Sequence, residues 1–116
     1  AVINVGSFEY IVDKCYSLLE LDLSMFYATN YTPTMLGQYI YSLQILDISN
    51  ITYATGSTAP NNFINYVENL KRFNCNNLPV ITRSNQLSLY NSTSLQRYSI
   101  LKMINGLQNA SSSVSI

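Results

Sequence analysis

Histidine and tryptophan are both missing from this 116-residue chain, and charge is scarce, with Lys, Arg, Asp and Glu together making up 10% of it. Without His, neither a Ser-His-acid nor a Cys-His nucleophile can be assembled within one chain, and the common mixed His/Cys metal sites are excluded too. Two Cys alone cannot complete a structural zinc site. The four glycines are scattered at Gly6, Gly37, Gly56 and Gly106, so no glycine-rich loop exists to cradle a phosphate. No apolar run approaches the roughly 18 residues of a membrane span. A net charge of zero removes the electrostatic case for nucleic acid as a partner. No cofactor, no metal and no catalytic residue is expected.

In place of charge the chain carries Asn, Ser, Thr, Gln and ten Tyr, with 47% hydrophobic residues. That composition folds, and at this length it forms a single domain over residues 1–108, followed by a small, polar, Ser-rich tail over 109–116. Uncharged polar surfaces are associated with secreted, wall-associated and virion proteins. A start at Ala1 without Met suits a mature chain whose signal peptide has been removed, or a trimmed one. The charges are divided along the chain. Glu9, Asp13, Glu20, Asp22 and Asp47 precede Ser57 with Lys14 the one base, whereas Lys71, Arg72, Arg83, Arg97 and Lys102 follow it with Glu68 the one acid. Such halves attract as they fold together, or they make a dipolar subunit that stacks head to tail.

The most apolar stretch, 8–26, sets the expected architecture. Phe8, Val12, Cys15, Leu19, Leu23 and Phe26 recur at three- and four-residue spacing and predict a first amphipathic helix. Thr32-Pro33 reads as a second start, with Leu36, Tyr39, Ile40, Leu43 and Leu46 as its stripe and Gly37 either weakening it or letting another helix approach closely. Thr58 and Pro60 open a third, with Phe63, Val67 and Leu70 inward. Thr93 and Gln96 make a capping box for a fourth, stopped by Gly106. The expectation is an all-α, four-helix antiparallel bundle, with room for a small β-hairpin near 79–90. Its rival is an all-β sandwich, because Leu19-Glu-Leu-Asp-Leu-Ser-Met25 alternates and Tyr, Ile and Thr favour strands. No internal repeat of steady period is read.

Cys15 and Cys75 are expected to form a disulfide joining the first helix to the third, provided those helices touch. Sequons at Asn30, Asn50, Asn91 and Asn109 are glycosylation candidates; all four fall in expected loops, caps or tail, though roughly three would arise by chance in so Asn- and Ser/Thr-rich a chain. Glu9 and Asp13, one helical turn apart, read as plain solvated surface, and Lys71-Arg72 beside Tyr66 and Phe73 as bases at a helix C-terminus. Tyrosines in excess of the core's needs, Tyr10, Tyr16, Tyr31, Tyr41 and Tyr53 among them, are candidates for a contact surface, because Tyr offers large area at little entropic cost.

These readings point to a secreted or cell-surface, non-catalytic recognition domain that uses a Tyr-rich, low-charge surface. The alternative is a structural subunit of an extracellular filament, coat or virion assembly. The expected partners are a protein, a glycan or another copy of the chain, with room for a small apolar ligand. Neither nucleic acid nor a transmembrane segment is expected.

Overall fold

The computed structural model describes residues 9–37, 39–89 and 92–107. It contains five short strands and one helix: β1 (Glu20–Asp22), β2 (Ala28–Tyr31), β3 (Ile45–Ile48), β4 (Ile51–Tyr53), β5 (Arg72–Cys75) and α1 (Arg97–Gly106). One sheet has the order β1-β3-β5 and the other is the pair β2-β4, with every pairing parallel. This is an α/β-type fold. The expected four-helix bundle is overturned, since the first three predicted helices are strands and turns among the described residues, and the alternative all-β sandwich does not fit two parallel sheets with a helix.

The registers reveal the architecture. Glu20 pairs with Ile45, and Ile45 in turn with Arg72, so the chain comes back twice to the same place at nearly equal intervals. Outside the strands, Gly37 bridges Ile64, Thr58 bridges Val80 and Ile64 bridges Leu87, again in parallel. The backbone therefore winds as a solenoid, each coil stacked on the one before. Stacking places like on like. Leu21, Leu46 and Phe73 sit in register on the inward side of the larger sheet, and Ile48 pairs with Cys75. The shared spacing is Leu18-x-x-Leu21-x-Leu23, Leu43-x-x-Leu46-x-Ile48 and Leu70-x-x-Phe73-x-Cys75. In the second and third coils all six of these side chains are buried. Period-2 alternation across the strands of the larger sheet thus prevails over the period-3.6 stripe.

The helical expectations fail residue by residue. Val12 and Leu23 of the first stripe are buried, but Cys15 and Leu19 are exposed and Phe26 is half-buried; Phe8 lies outside the described residues. Leu36, Ile40, Leu43, Phe63, Val67 and Leu70 are core residues as their hydrophobicity demands, delivered by extended chain and turns. Among the described residues no helix approaches at Gly37; the backbone of a turn does. A Cβ there would lie 2.8 Å from the backbone nitrogen of Asp13. The anticipated hairpin near 79–90 is not formed among the described residues, because Val80 and Leu87 each bridge an earlier coil. Lys71 and Arg72 lead into β5 and do not end a helix.

Among the described residues only the fourth helix exists, from Arg97 to Gly106, and Gln96 caps it without a side-chain bond, so the capping box is absent. It buries Ser99, Met103 and Gly106, leaving Tyr98, Leu101 and Ile104 of the expected inward stripe exposed. α1 lies against β5. The backbone N–H of Phe73 donates to Ser99 Oγ at 2.9 Å, and that of Gln96 donates to the Lys71 carbonyl at 2.8 Å. The helix thus covers the sheet edge that a further strand would otherwise pair with. No helix among the described residues is long and apolar enough to cross a membrane. The tail at 109–116 lies outside the described residues.

Candidate functional site

The predicted disulfide is not made. Cys75 is buried in the third coil, and Cys15 is exposed on the first, in a turn before β1; both thiols are free. The physical reason is that Cys75 occupies the apolar position of its coil that Ile48 fills in the coil before. Burial pushes its thiol up to about 11, so it stays protonated and unreactive at neutral pH.

The five predicted contact tyrosines separate into two groups. Tyr31 and Tyr53 are core residues, packed edge-to-face at a centroid distance of 6.0 Å, and Tyr53 meets Phe63 the same way at 5.5 Å. Burial raises the Tyr53 phenol well above the ordinary tyrosine range. Neither can serve as surface. Tyr10 and Tyr16 are exposed, and Tyr41 is partly so.

Tyr41 belongs to a patch that local sequence does not announce. Its ring lies 6.0 Å from Tyr39, which stacks on Tyr66 at 4.7 Å with the planes 13° apart. Tyr39 and Tyr66 are far apart in sequence but occupy the same place in adjacent coils, so their stacking distance matches the spacing of adjacent strands. Lys14, Tyr39 and Tyr66 also share a left-handed backbone, with φ of 56°, 59° and 54°. That conformation is uncommon outside Gly and Asn and costs of order 1 kcal/mol or more in a bulky residue. It recurs at the same place in successive coils. The crowding of rings desolvates the Tyr41 phenol, and the neighbouring Tyr39, Glu68, Tyr16 and Tyr66 add to this; together they raise its pKa and keep its hydroxyl a neutral donor.

A cleft of about 230 Å³ opens beside the stack, lined by Asn65, Tyr66, Val67, Glu68 and Ser88. Asn65 is held in place: its amide donates to Asn62 Oδ1 at 2.8 Å and its oxygen accepts from the Tyr66 backbone N–H at 2.9 Å. The arrangement offers flat aromatic area beside a small polar recess. That suits binding. Among the described residues no group of three Cys, Asp or Glu side chains could hold a metal ion. Glu9 and Asp13 lie in turns, so no helical face pairs their carboxylates.

Of the predicted glycan acceptors, Asn30 is exposed in β2, whereas Asn50 is half-buried and its amide donates to the Ser24 carbonyl. Asn91 and Asn109 lie outside the described residues. Sequence reasoning missed Tyr39, assigned to a helical stripe, and Tyr66, assigned to a basic-aromatic pair. The signal that could have found them is the recurrence Lys14-x-Tyr16, Tyr39-x-Tyr41, Tyr66-x-Glu68 at the coil spacing. Compared with family models, curated proteins and solved structures, the chain matches none.

Proposed function

We propose that this chain is a non-catalytic recognition module that binds a protein partner through the Tyr39–Tyr41–Tyr66 patch and the cleft beside it. The observation that carries the reading is the stacked Tyr39–Tyr66 pair, held by two left-handed backbones at the edge of a polar recess. Rings fixed in this way lose little entropy on binding, and their hydroxyls supply hydrogen bonds at the rim of the contact. The sparse charge around them suits an uncharged segment of partner chain, one side chain of which would enter the cleft. The spacing Leu-x-x-Leu-x-Leu, with Phe26, Ile51 and Leu78 where leucine-rich solenoids carry Asn or Cys, lends support by analogy, since solenoids present extended binding surfaces. A position outside the cell or at its surface is part of the proposal and rests on the low-charge, Tyr-rich composition.

Random-peptide display panned on the folded chain tests the reading. Peptides selected on the wild type should bind Tyr41→Ala and Tyr66→Asn at least tenfold more weakly, with the dichroism spectrum of both variants unchanged. Selected peptides indifferent to both substitutions would sink it. So would retention on an array of neutral glycans with no peptide binders found.

A further inference from the structure

Among the described residues, the large apolar side chains that stand open to solvent are confined, Tyr66 excepted, to the first coil and to α1. These are the two ends of the solenoid. On the first coil, Leu19, Met25 and Tyr27 are open around β1, which pairs with β3 on one side only. On α1, Tyr98, Leu101 and Ile104 are open on the face opposite Ser99 and Met103, which are buried toward β5. The charges are sorted the same way. Exposed Glu20 and Asp22 flank Leu21 in β1, with Lys14 the base of that coil, while α1 bears Arg97 and Lys102 and no acid, and the exposed Lys71 and Arg72 lie beneath it. The asymmetry of charge along the sequence thus becomes an asymmetry along the solenoid axis.

We infer that the first coil of one copy of this chain docks on the outer face of α1 of another, head to tail. The helix covers β5 of its own chain on one side and the β1 end of the next copy on the other. Leu19, Met25 and Tyr27 meet Leu101, Ile104 and Tyr98, with Glu20 and Asp22 facing Arg97 and Lys102. Two dissimilar surfaces meet in this contact, so it is heterologous and does not close by two-fold symmetry; copies add in a row. The contact leaves the Tyr39–Tyr66 stack of the second and third coils free, and its test does not depend on that patch.

Sedimentation velocity of the intact chain over a wide concentration range reads the association. Species larger than a monomer should grow with concentration and shrink as salt is raised. Two variants at exposed positions isolate the ends. Glu20→Lys/Asp22→Lys disables the first-coil end, Leu101→Glu/Ile104→Asp disables the helical end, and dichroism verifies that both fold. Each variant alone should be monomeric, and an equimolar mixture should form one-to-one dimers and stop there, the intact helix of the first seated on the intact first coil of the second. A wild-type chain monomeric at every concentration would overturn the inference. So would dimers of either variant alone, or a mixture that stays monomeric.

Discussion

Cys15 and Cys75 are chemically identical in the unfolded chain and differ in the folded one by what surrounds them. Cys15 is solvent-exposed and Cys75 is sealed among apolar neighbours with a thiol pKa pushed up to about 11. A thiol reagent should therefore modify one cysteine per native chain and the second only after unfolding, and intact mass should not change with reductant. The linkage has a definite sign. Because the folded-state pKa lies above the ordinary value of 9.0, the stability Cys75 confers is complete below about pH 9 and is lost as pH rises toward 11. Urea midpoints measured across that window should fall, and Cys75→Val should flatten part of the fall. Gly37 makes a second residue-scale prediction. Its missing Cβ would lie within 3.0 Å of the Val12 and Asp13 backbone, which cannot withdraw as a flexible side chain would. Gly37→Ala should cost about 1–3 kcal/mol in a denaturant titration. From the sequence, Gly37 reads either as a weak point of a helix or as a place where another helix comes close; in the fold it is neither, and the backbone of Val12 and Asp13 lies against it.

At the scale of the element, the strands are three or four residues long and hold together because side chains complete their ladders. Tyr53 of β4 donates its backbone N–H to Asn77 Oδ1 at 3.0 Å and accepts from Asn77 Nδ2 at 3.2 Å, so one amide stands in for a neighbouring strand. Ser99 Oγ does the same for Phe73 of β5. Asp47, in turn, accepts from Ser49 at the end of β3 and from Asn74 Nδ2 at 3.0 Å, tying the outward rows of adjacent strands. Removing either edge partner, with Asn77→Ala or Ser99→Ala, leaves a backbone donor short of its acceptor and should cost about 1–3 kcal/mol by thermal or urea unfolding. These roles were not legible in the sequence. Asn77 lies in an Asn-rich stretch, and Ser99 falls outside the expected apolar stripe of the fourth helix. Each acts across a long stretch of chain, on a partner no local pattern names.

In the whole molecule, stability is distributed along the solenoid axis. The middle coil is covered on both sides, with Leu46 paired to Leu21 below and Phe73 above, whereas Leu21 itself is only partly buried. Leu46→Ala should cost about 2–5 kcal/mol, and Leu21→Ala distinctly less. Hydrogen exchange should correspondingly find the amides of β3 slower than those of β1. Part of the buried set was legible: Leu36, Ile40, Leu43, Leu46, Phe63, Val67, Leu70 and Phe73 are core because they are apolar, whatever their backbone does. The fold was not, because the repeat is disguised. The step from Leu21 to Leu46 is shorter than the step from Leu46 to Phe73, and the step from Ala28 to Ile51 is shorter than either. Phe73 and Cys75 also stand where earlier coils carry Leu and Ile. Spacing by threes and fours then arises by accident among apolar residues packed this densely, and it reads as helix.

By itself the sequence determined that Leu36, Ile40, Leu43, Leu46, Phe63, Val67 and Leu70 leave water, and its lack of His removed Ser-His and Cys-His nucleophile pairs within the chain. Transfer free energy and functional-group inventory belong to residues one at a time. Only the tertiary structure decided that the chain coils in parallel, that Tyr39 and Tyr66 stack, that Tyr31 and Tyr53 lie inside, and that two cysteines never meet. Parallel pairing joins residues a whole coil apart, and at that separation the choice of partner is made by the packing of coil against coil.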